Sequence, residues 1–226
     1  MVVIAIDGPA ASGKSTIAKK LATELGYTYI DSGAMYRAVT LEYLRHCEEL
    51  NATKQSRGND EAILQSILND FQFDFDGDDV IINGQDRSPD IRTNLVSQNV
   101  SYIASFKTVR EKLVELQRQM SQSKDIVMDG RDIGTVVFPD ADLKIFMVAS
   151  AQVRAERRAA QLKTQGEEVD IEQLVKEIEK RDEIDSQREH SPLVKADDAI
   201  EICTDDLSIE EVTKVIKSYC RTGEPL

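Results

Sequence analysis

The sequence predicts an α/β fold, with a central parallel β-sheet flanked by helices, a small antiparallel sheet set into it and a short helical lid. Apolar runs of strand length alternate with longer stretches of helical period, the pattern of repeated βα units. One stretch of alternating phenylalanines breaks that pattern, and one long, almost wholly polar stretch near the C-terminal end keeps a helical period with little core of its own.

Taken in order, the first strand is Val2 to Asp7, a continuous apolar run ending in a carboxylate. The helix after it carries Ile17, Leu21 and Leu25 on one face and stops at Gly26, and Thr28 to Ile30 is the next strand. Phe71, Phe73 and Phe75 alternate with polar residues; turns at Asp76 to Asp79 and at Asn83-Gly84 flank Val80 to Ile82, which describes a small antiparallel insert. Its acidic run fails as a calcium loop: with Gly77 in the sixth position, Gln72 stands first and Asn83 last, where Asp and Glu are wanted. Asp125 to Asp129, Leu143 to Val148 and Ala199 to Cys203 are further strands. The last helix opens on the capping box Ser208-Ile209-Glu210-Glu211. The polar stretch from Gln161 through Glu189, apolar only at Val169, Ile171, Leu174, Val175, Ile178 and Ile184, reads as a charged helical hairpin able to act as a flap.

Composition narrows the function. A chain of 226 residues with a net charge of −13 repels a polyanion, so nucleic acid is not expected as a partner. No apolar stretch reaches the roughly 18 residues of a membrane span, and Met1 leads straight into Val2-Val3-Ile4 without a basic leader, so a cytoplasmic protein without a membrane partner is expected. Cys47, Cys203 and Cys220 are odd in number and far apart, and are expected to be free thiols. His46 and His190 join no cluster of metal ligands. In so acidic a chain, the cations that hold a small anionic ligand must be concentrated at one place.

The strongest chemical signal is Gly8-Pro9-Ala10-Ala11-Ser12-Gly13-Lys14-Ser15, a phosphate-binding loop lying directly after a buried strand and opening a helix. Glycines let backbone N–H groups turn inward around phosphate oxygens, Lys14 reaches the β- and γ-phosphates, and the Ser15 hydroxyl suits Mg²⁺. Asp31-Ser32-Gly33-Ala34-Met35-Tyr36-Arg37 is a polar turn leading into a helix at a strand's carboxyl end, where open α/β sheets bind ligands. Alone, Ser32 reads better as an N-cap and Arg37 as a surface charge, and Tyr36 either stacks or packs. A further strand delivers Asp129 to the same sheet edge, suited to direct or water-mediated contact with Mg²⁺, with Arg131 and Asp132 close behind. Arg154, Arg157 and Arg158 follow at helical spacing, then Arg181, Asp185 and Arg188 on one helix face; such runs usually mark a solvated, salt-bridged surface.

The phosphate-binding loop, Asp-Ser-Gly-x-x-Tyr-Arg at 31 to 37, Asp-Gly-Arg-Asp-Ile-Gly-Thr-Val-Val-Phe-Pro-Asp at 129 to 140 and Arg-Asp-x-x-Asp-x-x-Arg at 181 to 188 together resemble the bacterial cytidylate kinases of the P-loop nucleoside monophosphate kinase family. The resemblance spans nearly the whole chain, the insert at about 71 to 87 included. It implies a P-loop kinase in three parts: a core of residues 1–32, 98–153 and 189–226, a monophosphate-binding domain of 33–97, and a lid of 154–188. It implies transfer of the γ-phosphoryl group of MgATP to CMP and dCMP in pyrimidine nucleotide metabolism, by a monomer with Mg²⁺ as cofactor. ATP would be held by Gly8, Pro9, Ala10, Ala11, Ser12, Gly13, Lys14, Ser15 and Thr16, with Ser15 and Asp129 at the metal. Ser32, Arg37, Arg131 and Arg188 would hold the acceptor phosphate, Ser101, Arg110 and Asp132 would read the cytosine edge, and Arg181 with Asp185 would touch the ribose. Lys14, Arg154, Arg157 and Arg188 would stabilise the charge of the transferring group. A kinase for another small acceptor would share the loop and the lid and differ in the acceptor pocket. A GTPase-like switch would carry an Asn-Lys-x-Asp guanine motif, and the sequence has none.

Overall fold

A computed structural model of the chain describes residues 1–49, 59–164, 166 and 168–222. They fall into two compact units, Met1–Asp31 with Met120–Leu226, and Ser32–Gln119.

The first unit is built on a parallel sheet of β1 (Val3–Asp7), β2 (Thr28–Asp31), β6 (Ile126–Gly130), β7 (Leu143–Val148) and β8 (Ile200–Cys203), in the order β2-β6-β1-β7-β8. The two strands that are buried along their whole length, β1 and β6, are adjacent and central, which is why they read as unbroken apolar runs up to their terminal Asp7 and Asp129-Gly130. Parallel pairing of β2, β6, β1 and β7 brings Asp31, Asp129 and Asp7 to one carboxyl edge, with Asp31 opposite Asp129 in register. Helix α1 (Lys14–Leu25) lays Ile17 and Leu21 on this sheet against Ile4, Ile6, Val127, Ile145 and Met147. It ends where Gly26, at φ 72°, turns its N–H back to the carbonyls of Ala22 and Thr23. The sheet's last helix, α8 (Ile209–Thr222), adds Val212 and Ile216 to the same core. Its capping box forms as the sequence predicts: the Ser208 N–H donates to Glu211 Oε2 at 2.9 Å and the Glu211 N–H to Ser208 Oγ at 3.3 Å.

Where β1 hands over to the phosphate-binding loop, Gly8 sits at φ 148° with its α-hydrogen against β7. A Cβ there would lie 2.1 Å from the Met147 carbonyl oxygen, closer than any real contact and against backbone that the sheet holds in place. Gly8→Ala is therefore expected to lose about 3 kcal/mol or more of stability, read as a fall in the urea midpoint. An unchanged midpoint would mean that the β1–β7 junction yields.

Helices α6 (Ala151–Thr164) and α7 (Ile171–Gln187) form the charged hairpin; Asp170 caps α7 by accepting from the N–H groups of Glu172 and Gln173. After β6 comes a feature that no periodicity announces, a wide π-type turn over Ile133–Val137 in which the Phe138 N–H donates to the Ile133 carbonyl at 2.7 Å.

The second unit holds helices α2 (Ser32–Glu49), α3 (Asp60–Asp70), α4 (Asn94–Ile103) and α5 (Lys107–Met120), the last ending at the unit's border, and an antiparallel sheet. That sheet pairs β3 (Phe73–Asp76) with β4 (Asp79–Ile82), and β4 with β5 (Gln85–Asp86). Both turns have the chemistry of two-residue hairpins: Gly77 lies at φ 61°, and Asn83 and Gly84 lie at φ 51° and 78°, as a type I′ turn requires. Phe73 faces Phe75 edge to face with centroids 4.9 Å apart, while Val80 and Ile82 are buried. Among the described residues no helix is long and apolar enough to cross a membrane, and Cys47, Cys203 and Cys220 are free.

Candidate active site

The phosphate-binding loop bends through two left-handed residues, Ala11 at φ 59° and Gly13 at φ 90°, and delivers Lys14 as the first residue of α1. The Lys14 side chain is buried and curls back, donating to the Pro9 carbonyl at 2.6 Å and to Ser12 Oγ at 3.2 Å. Burial pushes its pKa well down, and the nearby Arg131 adds to the effect, against the pull of Asp129 and Asp7. Beside it, Ser15 Oγ donates to Asp129 Oδ2 at 2.8 Å, and the Tyr29 hydroxyl donates to Asp129 Oδ1 at 2.8 Å. Burial raises the Asp129 pKa to about 6, with the facing Asp31 contributing and Lys14 and the two hydroxyls opposing. Burial likewise raises Asp7 to about 6, although its carboxylate accepts the N–H groups of Ile133 and Gly134 at 2.8 and 2.7 Å and so ties the π-type turn to the end of β1.

If the loop's N–H groups turn inward to a phosphate, its carbonyls need partners outside. Two arginines of α6 are such partners. Arg154 donates to the Ala10 carbonyl at 3.2 Å, and Arg157 donates to the Ser12 carbonyl at 3.4 Å and to Thr204 Oγ1 and the Thr204 carbonyl at 3.0 and 2.5 Å. Arg154 also forms a bidentate pair with Asp182 of α7 at 3.0 and 2.5 Å. Arg158, one residue on, bonds to Gln161 on its own helix at 3.5 Å.

In the same unit, α7 gathers a second cationic cluster. Arg131 Nε donates to Asp185 Oδ2 at 3.0 Å, while Arg181 and Arg188 lie 4.0 and 3.9 Å from the Asp185 carboxylate. Arg188 stands 3.9 Å from Asp132 as well and donates to the Ser191 carbonyl at 2.6 Å. Burial alone would raise the Asp185 pKa, but Arg131, Arg181 and Arg188 outweigh it and hold it below the usual carboxylate range. Three guanidinium groups about two carboxylates leave a local excess of positive charge in a chain of net charge −13, the concentration of cations that an anionic ligand demands.

The other unit carries the remaining residues singled out from the sequence. Ser32 is buried at the start of α2 and Ser101 is buried in α4. Arg37 donates to Ser97 Oγ at 2.8 Å and to the Ile91 carbonyl at 3.2 Å. Buried Arg110 donates to the Ala104 carbonyl at 3.0 Å and places its guanidinium 5.1 Å from the centre of the Tyr36 ring, so Tyr36 stacks.

Sequence reasoning passed over four participants. Asp7 had a signal, a carboxylate ending an apolar strand, the same rule that picked out Asp129. Asp182 stood inside the quoted Arg-Asp-x-x-Asp-x-x-Arg segment without a task. Tyr29 and Thr204 had none, since only the folded sheet brings them to Asp129 and Arg157.

The cytidylate kinase family model matches residues 4–222. A cytidylate kinase of Pelodictyon phaeoclathratiforme is 47% identical over 229 residues, covering 99% of this chain and 96% of that protein. One of Chloroherpeton thalassium is 51% identical over 219 residues, covering 95% and 91%. Among solved structures, an uncharacterized protein of Eubacterium ventriosum shares the fold at a TM-score of 0.52 and 14% identity, covering 98% of each chain. A family match from end to end, at about half identity, on a chain whose loop, sheet edge and arginine cluster suit nucleotide phosphates means that the chain belongs to the cytidylate kinase family.

Proposed function

We propose that the chain transfers the γ-phosphoryl group of ATP directly to a phosphate oxygen of CMP or dCMP, giving ADP and CDP or dCDP, and that it works as a monomer in the cytoplasm. The observation that carries this reading is the placement, in one unit, of a phosphate-binding loop and a separate cluster of Arg131, Arg181 and Arg188 about Asp185 and Asp132. A donor and an acceptor phosphate each need such a site. Nucleotide phosphates are already largely ionised near neutral pH, so no general base is required, and catalysis consists of alignment and charge stabilisation. Lys14 meets the donor phosphates from the loop. Ser32, Arg37, Arg131 and Arg188 hold the acceptor phosphate, Arg181 and Asp185 the ribose, and Ser101, Arg110 and Asp132 the cytosine edge.

Hard oxygen donors suit Mg²⁺, and Ser15 Oγ and the Asp129 carboxylate stand 2.8 Å apart beside Lys14, with Asp31 facing Asp129 across the strand pair. Those two residues would hold the ion, which when bound draws charge from the transferring phosphoryl group. In this reading residues 154–188 are the lid, 33–97 bind the monophosphate, and the remainder is the core. The lid brings Arg154 and Arg157 to the loop and shields the phosphates from water.

The test is ADP production from MgATP with CMP, dCMP, UMP, AMP and GMP, beside a control without acceptor. CMP and dCMP should dominate and the control should be silent. Another winning acceptor would overturn the base reading, and acceptor-independent hydrolysis would overturn the kinase assignment. Asp132→Ala sharpens the test. A carboxylate can accept from the exocyclic amine of cytosine, which uracil lacks, so the kcat/KM ratio of CMP to UMP should fall by about tenfold to a hundredfold, the worth of a charged hydrogen bond. Equal losses for both nucleotides would give Asp132 a purely structural role.

A further inference from the structure

The Arg-Asp-x-x-Asp-x-x-Arg segment that closes α7, with Arg188 as the extended residue just past its end, supplies Arg181, Asp185 and Arg188 to the acceptor cluster and leaves Asp182 unused. Asp182 projects instead toward α6, where its two carboxylate oxygens take the Arg154 guanidinium head-on at 3.0 and 2.5 Å. Arg154 is the more deeply buried partner, its side chain 6% exposed against 24% for Asp182. Its other bonds are equally directed: Nε donates to the Ala149 carbonyl at 2.9 Å, where β7 ends, and Nη1 to the Ala10 carbonyl of the phosphate-binding loop at 3.2 Å. Four of its five N–H donors are thus committed to protein acceptors, and a planar guanidinium pinned on three sides cannot rotate without breaking several bonds together.

We propose that Asp182 is a positioning residue for phosphoryl transfer: its carboxylate holds Arg154 on the Ala10 carbonyl and so ties α7, the helix of the acceptor arginines, to the loop that carries Lys14. The proposal rests on the reading of that loop as the donor site. A tie of this kind acts on alignment. In-line transfer is sensitive to placement at the level of an ångström, and the cost of misplacement falls on turnover more than on ground-state binding. Without the carboxylate, Arg154 stays cationic beside the loop and still attracts polyphosphate, so nucleotide affinity is retained while its angle to the loop is lost.

The closing experiment compares Asp182→Asn, which keeps the shape of the side chain and removes its charge, with Arg154→Met and the double variant. Asp182→Asn is expected to lower kcat with CMP by about tenfold to a hundredfold, with KM for ATP unchanged or lower. Added to Arg154→Met it is expected to cost less than about twofold more, because Asp182 acts through Arg154. A kcat within twofold of wild type for Asp182→Asn, or losses that multiply in the double variant, would overturn the proposal. Hydrogen exchange without nucleotide supplies a readout that needs no turnover: in Asp182→Asn the amides of residues 17–19, which open the hydrogen-bonded part of α1 on the Gly13 carbonyl directly after the loop, should exchange about tenfold faster, and unchanged protection would overturn the tie. If the wild-type protein forms no ADP with CMP, the function proposed above fails, and the exchange comparison alone decides whether Asp182 braces the loop.

Discussion

Lys14→Met is expected to lower kcat by about 10³-fold or more while the protein stays folded, with a melting temperature within a few degrees of the wild type. The two halves of this result come from different properties of one side chain. In the proposed mechanism its ammonium group is the cation that meets the transferring phosphate, and no neighbouring lysine can replace it, since α1 carries Lys19 on its exposed side and Lys20 in a pair with Glu24. Yet its contribution to stability is small. Burial, with Arg131 nearby, pushes the Lys14 pKa well down, so the charged form is held at a desolvation cost that methionine, of similar length, does not incur. The Pro9 carbonyl keeps a donor in Ser12 Oγ at 3.0 Å after Lys14 has gone, so no buried acceptor is orphaned. Initial rates of ADP formation, paired with thermal denaturation, check both halves. A near-wild-type rate would remove the loop from catalysis, and a lost fold would make Lys14 structural.

How far sequence reading reached can be seen at particular residues. The two central strands of the parallel sheet were legible because burial on both faces writes an unbroken apolar run, as in Val3 to Ile6 and Ile126 to Met128, while α1 was legible from its core at helical spacing and α8 from its capping box. Gln85–Asp86 was not legible as a strand. Both residues are polar and exposed, and only the type I′ turn before them and pairing with Ile81 and Ile82 make them one. The π-type turn at Ile133–Val137 has no local signature either, since it is held by Asp7, a carboxylate 126 residues away. In the candidate site the same division holds. Lys14, Ser15 and Asp129 announce themselves by motif and by position at a strand end. Tyr29 and Asp182 take their meaning from a partner that tertiary structure alone supplies. A paired arginine such as Arg154 and an unpaired one look alike in sequence, so the charged face of α6 reads as a solvated surface although it grips the loop.

Asp129→Asn should move activity and stability in opposite directions. Turnover should fall by about 10²- to 10³-fold, because an amide is a poor ligand for Mg²⁺ and carries no charge to offset the ion. Stability at pH 7 should be equal or higher. Burial and the facing Asp31 raise the Asp129 pKa from 3.8 to about 6, so keeping it ionised at neutral pH costs on the order of 3 kcal/mol relative to the unfolded chain. The amide avoids that cost and keeps its partners, since the hydroxyls of Ser15 and Tyr29 can each accept as well as donate. The sign of the pH dependence follows. A carboxylate whose folded pKa lies above its unfolded value is least favourable to the fold above about pH 6, and the penalty fades as pH falls through 6 toward 3.8, where the native state takes up the proton first. The stability gap between Asp129→Asn and the wild type should therefore narrow between pH 7 and pH 5. Denaturant midpoints at the two pH values, with rates at pH 7, decide the matter. Full activity would take Asp129 away from the metal and phosphates. A variant less stable at pH 7 would mean that the bonds from Ser15 and Tyr29 outweigh the buried charge, and the carboxylate would then be a structural anchor as much as a functional one.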